Sequence, residues 1–97
     1  MRVFSKAILR NFWKKHADSE QQLKAWFKES ESIIWKSPAD VKKEYPQASI
    51  VANNRVVFNI NGNKYRLVVK INYQRGWVFV KFIGTHKEYD HIDVTII

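Results

Sequence analysis

Apolar and polar residues alternate along the second half of the chain, with the period of two that is typical of β-strands. Between residues 64 and 71, the odd positions are all apolar or aromatic: Tyr65, Leu67, Val69 and Ile71. The even positions carry three cations with one valine among them: Lys64, Arg66, Val68 and Lys70. Because successive side chains of a strand point to opposite faces, the pattern predicts a strand with one face in a core and a basic face outside.

The dipeptide Asn61-Gly62 separates this strand from an apolar run before it. Asparagine and glycine both tolerate positive φ, so the dipeptide predicts a β-hairpin with a two-residue type I′ turn. Such a turn would oppose three pairs of residues: Ile60 and Asn63, Asn59 and Lys64, and Phe58 and Tyr65. Because opposed residues share a face, Arg55 and Asn59 should lie on the basic face. The core side of the same strand would hold Val56, Phe58 and Ile60.

A second turn is predicted at Tyr73-Gln-Arg-Gly76, and another alternating apolar segment follows it. In the register that both turns allow, Thr85 would lie opposite Lys64, and Ile83 opposite Arg66. The core side of this third strand would hold Val78, Val80 and Phe82. The three strands predict an antiparallel meander, because both turns agree on which face is buried.

This register gathers four polar side chains at one end of the basic face: Asn59, Lys64, Arg66 and Thr85. His86 follows directly at the end of the strand, and the segment Lys87-Glu-Tyr-Asp90 comes next. Any chemistry that the chain performs is therefore predicted at this end of the sheet.

The first part of the chain shows helical spacing instead of alternation. Ser5 is a plausible N-cap for a helix that continues to about His16. The segment Ala17-Asp-Ser19 interrupts the pattern and would cap a second helix, which should end near Trp35-Lys36.

A third, short helix is predicted after Ser37, because Pro38 suits the first helical position and Asp40 could reach back to the cap. Residues 1–4 and residues 49–52 are extended segments that could add edge strands. Helices followed by strands predict an α+β fold, in which the N-terminal helices pack on one face of a small antiparallel β-sheet.

Composition adds a strong positive charge and limits the class of protein. The 97 residues hold 17 Lys and Arg against 9 Asp and Glu, a formal net charge of +8, and no cysteine. A small chain with this excess typically meets a polyanion or an acidic partner. Disulfides and thiolate metal sites are excluded, and no segment resembles a signal peptide or a membrane span. We therefore predict a single cytoplasmic domain, residues 1–97, without membrane association.

The basic face of the predicted sheet also carries aromatic rings. Its members are Arg55, Asn59, Lys64, Arg66, Lys70, Trp77, Phe79 and Lys81. Cations contact phosphates and rings stack on unpaired bases, so this mixture is typical of an RNA-binding surface. Alternatively, residues Val94–Ile97 cover Trp77 and Phe79, since a large exposed aromatic pair is costly without a partner.

Three segments of the strand-rich half resemble the HigB toxins, a branch of the RelE-like superfamily of type II toxin–antitoxin systems. They are Val56-Val-Phe-Asn-Ile60, Gly62-Asn-Lys-Tyr-Arg-Leu67 and Gly84-Thr-His-Lys-Glu-Tyr-Asp90. The helical half is similar to the same family through Phe12-Trp13, Leu23, Trp26, Trp35 and Ser37-Pro38-Ala-Asp40. The resemblance therefore covers nearly the whole chain.

The resemblance implies a compact α+β toxin that cleaves mRNA, usually on translating ribosomes. It also implies neutralisation by a HigA-type helix-turn-helix antitoxin, with operator DNA bound only through the toxin–antitoxin complex. The alternative is a binding module that occupies RNA or the ribosome and blocks translation without cleavage. A degenerate toxin that is retained only as a co-repressor is disfavoured, because the motifs are intact.

RNA cleavage by the 2′-OH requires a base, a group that stabilises the phosphorane and an acid for the leaving 5′-oxygen. Arg66 is the best candidate for holding the scissile phosphate, because guanidinium binds phosphate oxygens bidentately. Lys64 could stabilise the transition state, or act as base if its pKa were lowered. His86 suits proton transfer, because imidazole titrates near neutral pH. Lys87 and Tyr89 are candidates for the general acid or for stacking on the substrate.

The remaining candidates have supporting roles. Asp90 would orient His86 or simply cap the following turn. Candidate RNA-binding residues are Arg55, Asn59, Asn63, Lys70, Lys81 and Trp77. Purely structural interpretations stay open for His86 and Tyr89 as packing residues, and for Asn59 and Asn63 as hairpin residues.

No metal ion or other cofactor is predicted. The aspartates at 40, 90 and 93 are scattered, no two histidines share a helix face, and cysteine is absent.

Overall fold

A computed structural model describes the whole chain, residues 1–97, and confirms the α+β fold class. The helices are α1 (Lys6–Lys15), α2 (Glu20–Ser32), α3 (Pro38–Glu44) and α4 (His86–Tyr89). The strands are β1 (Arg2–Phe4), β2 (Ser49–Val51), β3 (Arg55–Ile60), β4 (Tyr65–Asn72) and β5 (Trp77–Thr85). A 3-10 turn at Ala17–Ser19 joins α1 to α2.

The five strands form one sheet in the order β1-β5-β4-β3-β2. Strands β3, β4 and β5 make the predicted antiparallel meander, and β2 adds an antiparallel edge. The other edge differs from the prediction, because β1 pairs in parallel with β5 and the sheet is therefore mixed. Parallel strands need a long connection, and the whole chain between β1 and β5 supplies it.

The turn between β3 and β4 is longer than predicted. Asn61 and Gly62 have the positive φ angles that the sequence requires, 53° and 66°. However, Ile60 pairs with Tyr65, so the loop holds four residues instead of two. A hydrogen bond from the Lys64 N–H to the Asn61 carbonyl (3.2 Å) closes this loop.

The longer loop moves the β3–β4 register by two residues. Asn59 lies opposite Arg66 instead of Lys64, and Phe58 lies opposite Leu67 instead of Tyr65. Since side chains alternate with a period of two, an even shift leaves every residue on its predicted face.

A β-bulge in β5 changes the face of the residues that follow it. Val69 pairs with Val80 but Val68 pairs with Phe82, so Lys81 is the extra residue. Phe82, predicted in the core, therefore lies on the outer face.

Beyond the bulge, two predicted pairs are wrong. Thr85 lies opposite Tyr65, and Ile83 lies opposite Leu67. The residue opposite Arg66 is Gly84. The predicted turn at 73–76 is confirmed, with Asn72 and Trp77 as its closing pair.

None of the three predicted N-cap serines, Ser5, Ser19 and Ser37, makes a side-chain cap hydrogen bond. Ser5 precedes α1 with a φ of 73° and makes no side-chain cap. The Ser19 hydroxyl donates to the His16 carbonyl (2.7 Å) instead of capping α2.

Helix α2 also ends earlier than predicted, at Ser32, because the backbone becomes extended at Ile33. This extended path lets Trp35 enter the core, where it is completely buried. The Asp40 carboxylate reaches back as predicted, but it accepts from the N–H of Lys36 (2.8 Å) instead of that of the N-cap residue, Ser37.

The helices cover one face of the sheet and form the core with it. Its centre is Phe58, whose ring lies 5.5 Å from Trp26, 6.2 Å from Trp35 and 5.0 Å from Tyr45. None of the helices has both the length and the apolar character needed to cross a membrane.

The outer face of the sheet is partly closed by the C-terminal segment. Asn53 donates to the Thr95 carbonyl (3.0 Å), and the Arg55 guanidinium donates to the Ile97 carbonyl. On this face, Val57 and Val68 are buried.

Candidate functional site

The β3–β4 loop meets helix α4 at one end of the sheet. The His86 N–H donates to the Lys64 carbonyl (3.2 Å), which joins the two segments. Eight predicted site residues lie on these segments and on the adjoining strand ends; together we call them the loop–helix patch. They are Asn59, Asn63, Lys64, Arg66, His86, Lys87, Tyr89 and Asp90. The convergence that the sequence predicts at this end is confirmed, although the pairing differs.

Arg66 lies on the outer face at the centre of the loop–helix patch. Its Nη1 donates to the Asn63 side-chain oxygen (3.2 Å) and, more weakly, to the Asn63 carbonyl (3.4 Å). Its Cζ lies 5.8 Å from the centre of the Tyr89 ring. All hydrogen bonds of the guanidinium come from Nη1, so its Nε and Nη2 donors face no protein acceptor. The half-buried group is thus oriented by Asn63 and Tyr89 and can still donate two parallel hydrogen bonds to an anion.

Gly84 lies directly opposite Arg66 and keeps this position free of a side chain. A Cβ atom there would lie 2.5 Å from Cζ of Phe82 and 3.1 Å from a carboxylate oxygen of Glu88. The close approach of these two side chains therefore depends on glycine, because they occupy the space that a side chain at position 84 would take.

Helix α4 begins with a capping box. The Thr85 hydroxyl accepts from the Glu88 N–H (3.1 Å), and the Glu88 carboxylate accepts from the Thr85 N–H (2.8 Å). The bond from the Thr85 N–H holds the pKa of the Glu88 carboxyl below its usual value. A helix of four residues is too short to be stable alone, so this reciprocal cap holds His86 and Tyr89 in place.

Replacing Thr85 with alanine should loosen α4 without unfolding the protein. Loss of an N-cap hydroxyl costs about 1 kcal/mol, and the Glu88 N–H would lose its acceptor. We expect faster amide hydrogen exchange at Glu88 in Thr85→Ala than in Thr85→Ser, which keeps the hydroxyl. Equal exchange in the two variants would contradict the capping role.

His86 and Asp90 form a pair one helical turn apart. The His86 Nδ1 lies 3.2 Å from a carboxylate oxygen of Asp90, and both side chains are about half exposed. A carboxylate at Nδ1 favours the tautomer with the proton on that nitrogen. The other nitrogen, Nε2, is then the one that can accept a proton from a substrate.

Lys64 is held by an acidic partner that the sequence does not predict. Its Nζ lies 2.5 Å from a carboxylate oxygen of Asp18, whose other oxygen accepts from the Tyr65 hydroxyl (2.6 Å). The contact with Asp18 raises the pKa of Lys64, and the contact with Lys64 lowers the pKa of Asp18. The condition for Lys64 as a base, a lowered pKa, is therefore not met in this arrangement.

The Asp18–Lys64 pair should make stability depend on pH at both ends of the range. Asp18 has a lowered pKa, so its contribution is complete above its usual value of 3.8 and is lost as the pH falls through the folded value. Lys64 has a raised pKa, so its contribution is complete below 10.5 and is lost at higher pH. We expect the unfolding midpoints of wild type and Asp18→Asn to differ near neutral pH and to converge in acid. The exposed carboxylate variant Glu31→Gln is the control, and a pH-independent difference for Asp18→Asn would contradict the prediction.

His16, for which the sequence suggests no role, lies beside the loop–helix patch. Its ring stacks on Phe12 at 4.3 Å and lies 5.3 Å from the ring of Tyr65. Tyr65 in turn shares Asp18 with Lys64. The contact of His16 with Phe12 is local, one helical turn along the chain. No spacing along the chain could predict the contacts of His16 and Asp18 with Tyr65, because they join the end of α1 and the 3-10 turn to β4.

Arg55 lies outside the patch. It is 8% exposed, and its guanidinium donates to the carbonyl oxygens of Asn53 (2.9 Å) and Ile97. A side chain that is bound in this way under the C-terminal segment does not present a cation to RNA.

Lys70, Lys81 and Trp77 also lie apart from the patch, on the outer face nearer the opposite end of the sheet. Trp77 pairs with Asn72 at the far end of β4, and Lys81 is the bulge residue of β5. Both lysines are exposed, and Trp77 is half-buried. Trp77 contacts Phe4 (5.9 Å) and Phe79 (6.1 Å), whereas the C-terminal segment hydrogen-bonds on the β3 side.

No group of three or more His, Cys, Asp or Glu side chains is placed to hold a metal ion. Two carboxylates in or beside the patch contact side chains of the protein, Asp18 with Lys64 and Asp90 with His86.

Comparison with protein families identifies the chain. The HigB toxins, described as the RelE-like toxic component of a toxin–antitoxin system, match residues 19–92. The chain belongs to the HigB toxin family. The matched range extends from the start of α2 beyond α4 and includes the whole loop–helix patch, so the resemblance seen in the sequence motifs is confirmed.

Several curated HigB proteins are similar over nearly the full chain. The mRNA interferase HigB of Escherichia coli O6:H1 (strain CFT073) is 24% identical over 94 residues, 95% of this chain and 91% of the relative. The mRNA interferase toxin HigB of Escherichia coli strain K12 and the mRNA interferase HigB of Shigella flexneri are each 24% identical over 92 residues. Those matches cover 93% of this chain and 88% of each relative.

Proposed function

We propose that this HigB-family toxin is an endoribonuclease that cleaves mRNA on translating ribosomes without a metal ion. The observation that carries the proposal is the arrangement around Arg66. A guanidinium with free donors and a His86–Asp90 pair occupy the same end of a basic sheet face. The relatives bear the name mRNA interferase, which supports RNA as the substrate.

The side chains of the patch can supply the steps of the reaction. His86 accepts the proton of the 2′-OH at Nε2, while Asp90 holds Nδ1. The 2′-oxygen then bonds to phosphorus as the bond from phosphorus to the 5′-oxygen breaks. Arg66 donates to the phosphorane oxygens, whose negative charge grows in the transition state. The leaving oxygen takes a proton from Tyr89 or Lys87, so the products carry a 2′,3′-cyclic phosphate and a 5′-hydroxyl.

Lys64 contributes charge and not proton transfer in this proposal. Its side chain is exposed and stays protonated beside Asp18. An incoming phosphate could accept a hydrogen bond from Lys64 without displacing Asp18, because an ammonium has three donors. Asn59 and Asn63 line the same region and contact the nucleotides that flank the scissile bond.

The proposed partners follow from membership of a toxin–antitoxin family. We propose that a HigA-type helix-turn-helix antitoxin neutralises the protein, and that operator DNA is bound only through that complex. The toxin meets mRNA on ribosomes in the cytoplasm. The net charge of +8 supports an acidic contact surface on the antitoxin.

The test is a reaction with purified protein and a translated reporter mRNA. We expect new 5′ ends that carry a hydroxyl and that require ribosomes. Translation arrest with intact mRNA would instead support occupancy of the ribosome without cleavage. New 5′ ends that carry a phosphate would contradict the metal-independent mechanism, because attack by the 2′-OH leaves a 5′-hydroxyl. Equal cleavage of free RNA would contradict ribosome dependence.

A further inference from the structure

A second surface of the molecule combines aromatic rings with unpaired cations. It lies on the outer face where β1 joins β5, and we call it the aromatic platform. Its residues are Arg2, Phe4, Arg75, Trp77, Phe79 and Lys81. The parallel pairing of β1 with β5 creates it, because Arg2 lies beside Trp77 and Phe4 beside Phe79.

The three rings of the platform contact one another and are only partly buried. Phe4 stacks on Phe79 with ring centres 4.9 Å apart and planes 14° apart. Trp77 stands edge-on to both, at 5.9 Å from Phe4 and 6.1 Å from Phe79. Rings held in this way present a rigid surface on which an unpaired base can stack at little entropic cost.

Each ring has its own cation. Arg2 lies 4.9 Å from the centre of Phe4, Arg75 lies 5.1 Å from Trp77, and Lys81 lies 5.9 Å from Phe79. None of these cations takes part in an ion pair, because the ion pairs of the chain involve only Lys24, Lys64 and His86.

Acidic residues are absent from this part of the chain. Residues 45–87, which contain β2 to β5, hold no Asp or Glu, and neither do residues 1–17 with β1. The platform therefore presents three positive charges that no nearby strand residue neutralises. Phosphates with unpaired bases match both its charge and its rings, whereas an acidic peptide would match the charge alone.

The Trp77 end of the platform is too far from Arg66 to take part in cleavage. Asn72, the partner of Trp77, is six positions along β4 from Arg66. This corresponds to about 20 Å at roughly 3.3 Å per residue. A base stacked on Trp77 is thus several nucleotides away from the scissile phosphate, or belongs to another RNA.

We propose that the aromatic platform is a separate binding site for single-stranded RNA, which supplies affinity but no chemistry. This inference deepens the proposed function and rests on it for the class of ligand. Binding at the platform should lower KM for cleavage and leave kcat unchanged.

Intrinsic fluorescence can test the platform directly. Of the four tryptophans, Trp13, Trp26 and Trp35 are at most 8% exposed, so only Trp77 can be quenched by a stacked base. The probe is a short 2′-O-methyl oligouridine, which cannot be cleaved because its 2′-oxygen carries no proton. We expect it to quench the emission. Because Trp77→Ala removes this reporter, the affinity of that variant is measured by the fluorescence anisotropy of a dye-labelled 2′-O-methyl oligouridine. It should be about 5- to 100-fold weaker, as loss of one stacked base predicts.

Two further variants distinguish loss of binding at the platform from unfolding and from loss of cleavage. Arg75→Ala/Lys81→Ala removes two exposed charges without touching the core, and should weaken binding and reduce the salt dependence by about two ions. Arg66→Ala should keep the fluorescence quenching even if it abolishes cleavage. Unchanged affinity in both platform variants would overturn the proposal. Equal quenching of Trp77 by an oligoglutamate would also overturn it and indicate an acidic protein partner.

Discussion

Arg66→Ala is expected to reduce kcat/KM for mRNA cleavage by about 100- to 1,000-fold, the usual cost of losing one group that stabilises the transition-state charge. The fold should be unaffected, because Arg66 is half exposed and its hydrogen bonds reach only Asn63, in the adjacent loop. The measurement is the yield of new 5′ ends from a reporter mRNA in the presence of ribosomes, with circular dichroism to verify folding.

Two controls make this experiment specific to the geometry of the guanidinium. Arg66→Lys keeps the charge but loses bidentate donation, so it should recover only part of the activity. Arg10→Ala removes an exposed arginine from α1 and should cleave like wild type. Full cleavage by Arg66→Ala would place the phosphate site elsewhere and remove the basis for the proposed mechanism.

Phe58→Ala is expected to destabilise the protein by about 3–5 kcal/mol. Phe58 is 2% exposed and contacts three other aromatic rings, those of Trp26, Trp35 and Tyr45, so its removal leaves a cavity that they cannot fill. Domains of this size are stable by only about 5–15 kcal/mol. The substitution would therefore remove a large fraction of the stability, and urea denaturation should show the change.

Comparison with an exposed position tests whether the burial of Phe58 causes the predicted destabilisation. Ile34 is 71% exposed, and Ile34→Ala should change the free energy of unfolding by less than about 0.5 kcal/mol. Phe58→Ala and Arg66→Ala should both relieve toxicity, but only Phe58→Ala should do so by loss of folded protein. A Phe58→Ala variant as stable as wild type would contradict the assignment of Phe58 to the centre of the core.

The sequence was sufficient to predict the fold class, the meander and the end of the sheet that carries the candidate site. The faces of β3 and β4 were correct although the loop at Asn61 has four residues instead of two, because an even error preserves alternation. The bulge at Lys81, in contrast, adds a single residue, which is an odd change. One extra residue reverses the alternation of every later position, and no local signal in the sequence indicates it.

Contacts between distant segments account for the other differences in the site. Asp18 and Lys64 are far apart in the chain, and their pairing depends on how the helices pack on the sheet. Arg55 follows the alternation of β3, but the C-terminal segment that buries it has no pattern of its own. The capping box of Thr85 and Glu88 is the exception, because it is a local feature. Its Thr-x-x-Glu spacing is a known helix-start signature, so the sequence alone could have predicted it.

The parallel pairing of β1 with β5 has a consequence for how the chain folds during its synthesis. β1 is made first, yet its partner Trp77–Thr85 is among the last segments made, and α4 follows even later. Contacts between such distant segments form late, because the intervening chain must close a long loop before they gain any stability. We therefore expect nascent chains without β5 and α4 to lack both the finished sheet and the loop–helix patch, so a ribosome that makes this toxin is not exposed to its activity until α4 has been made.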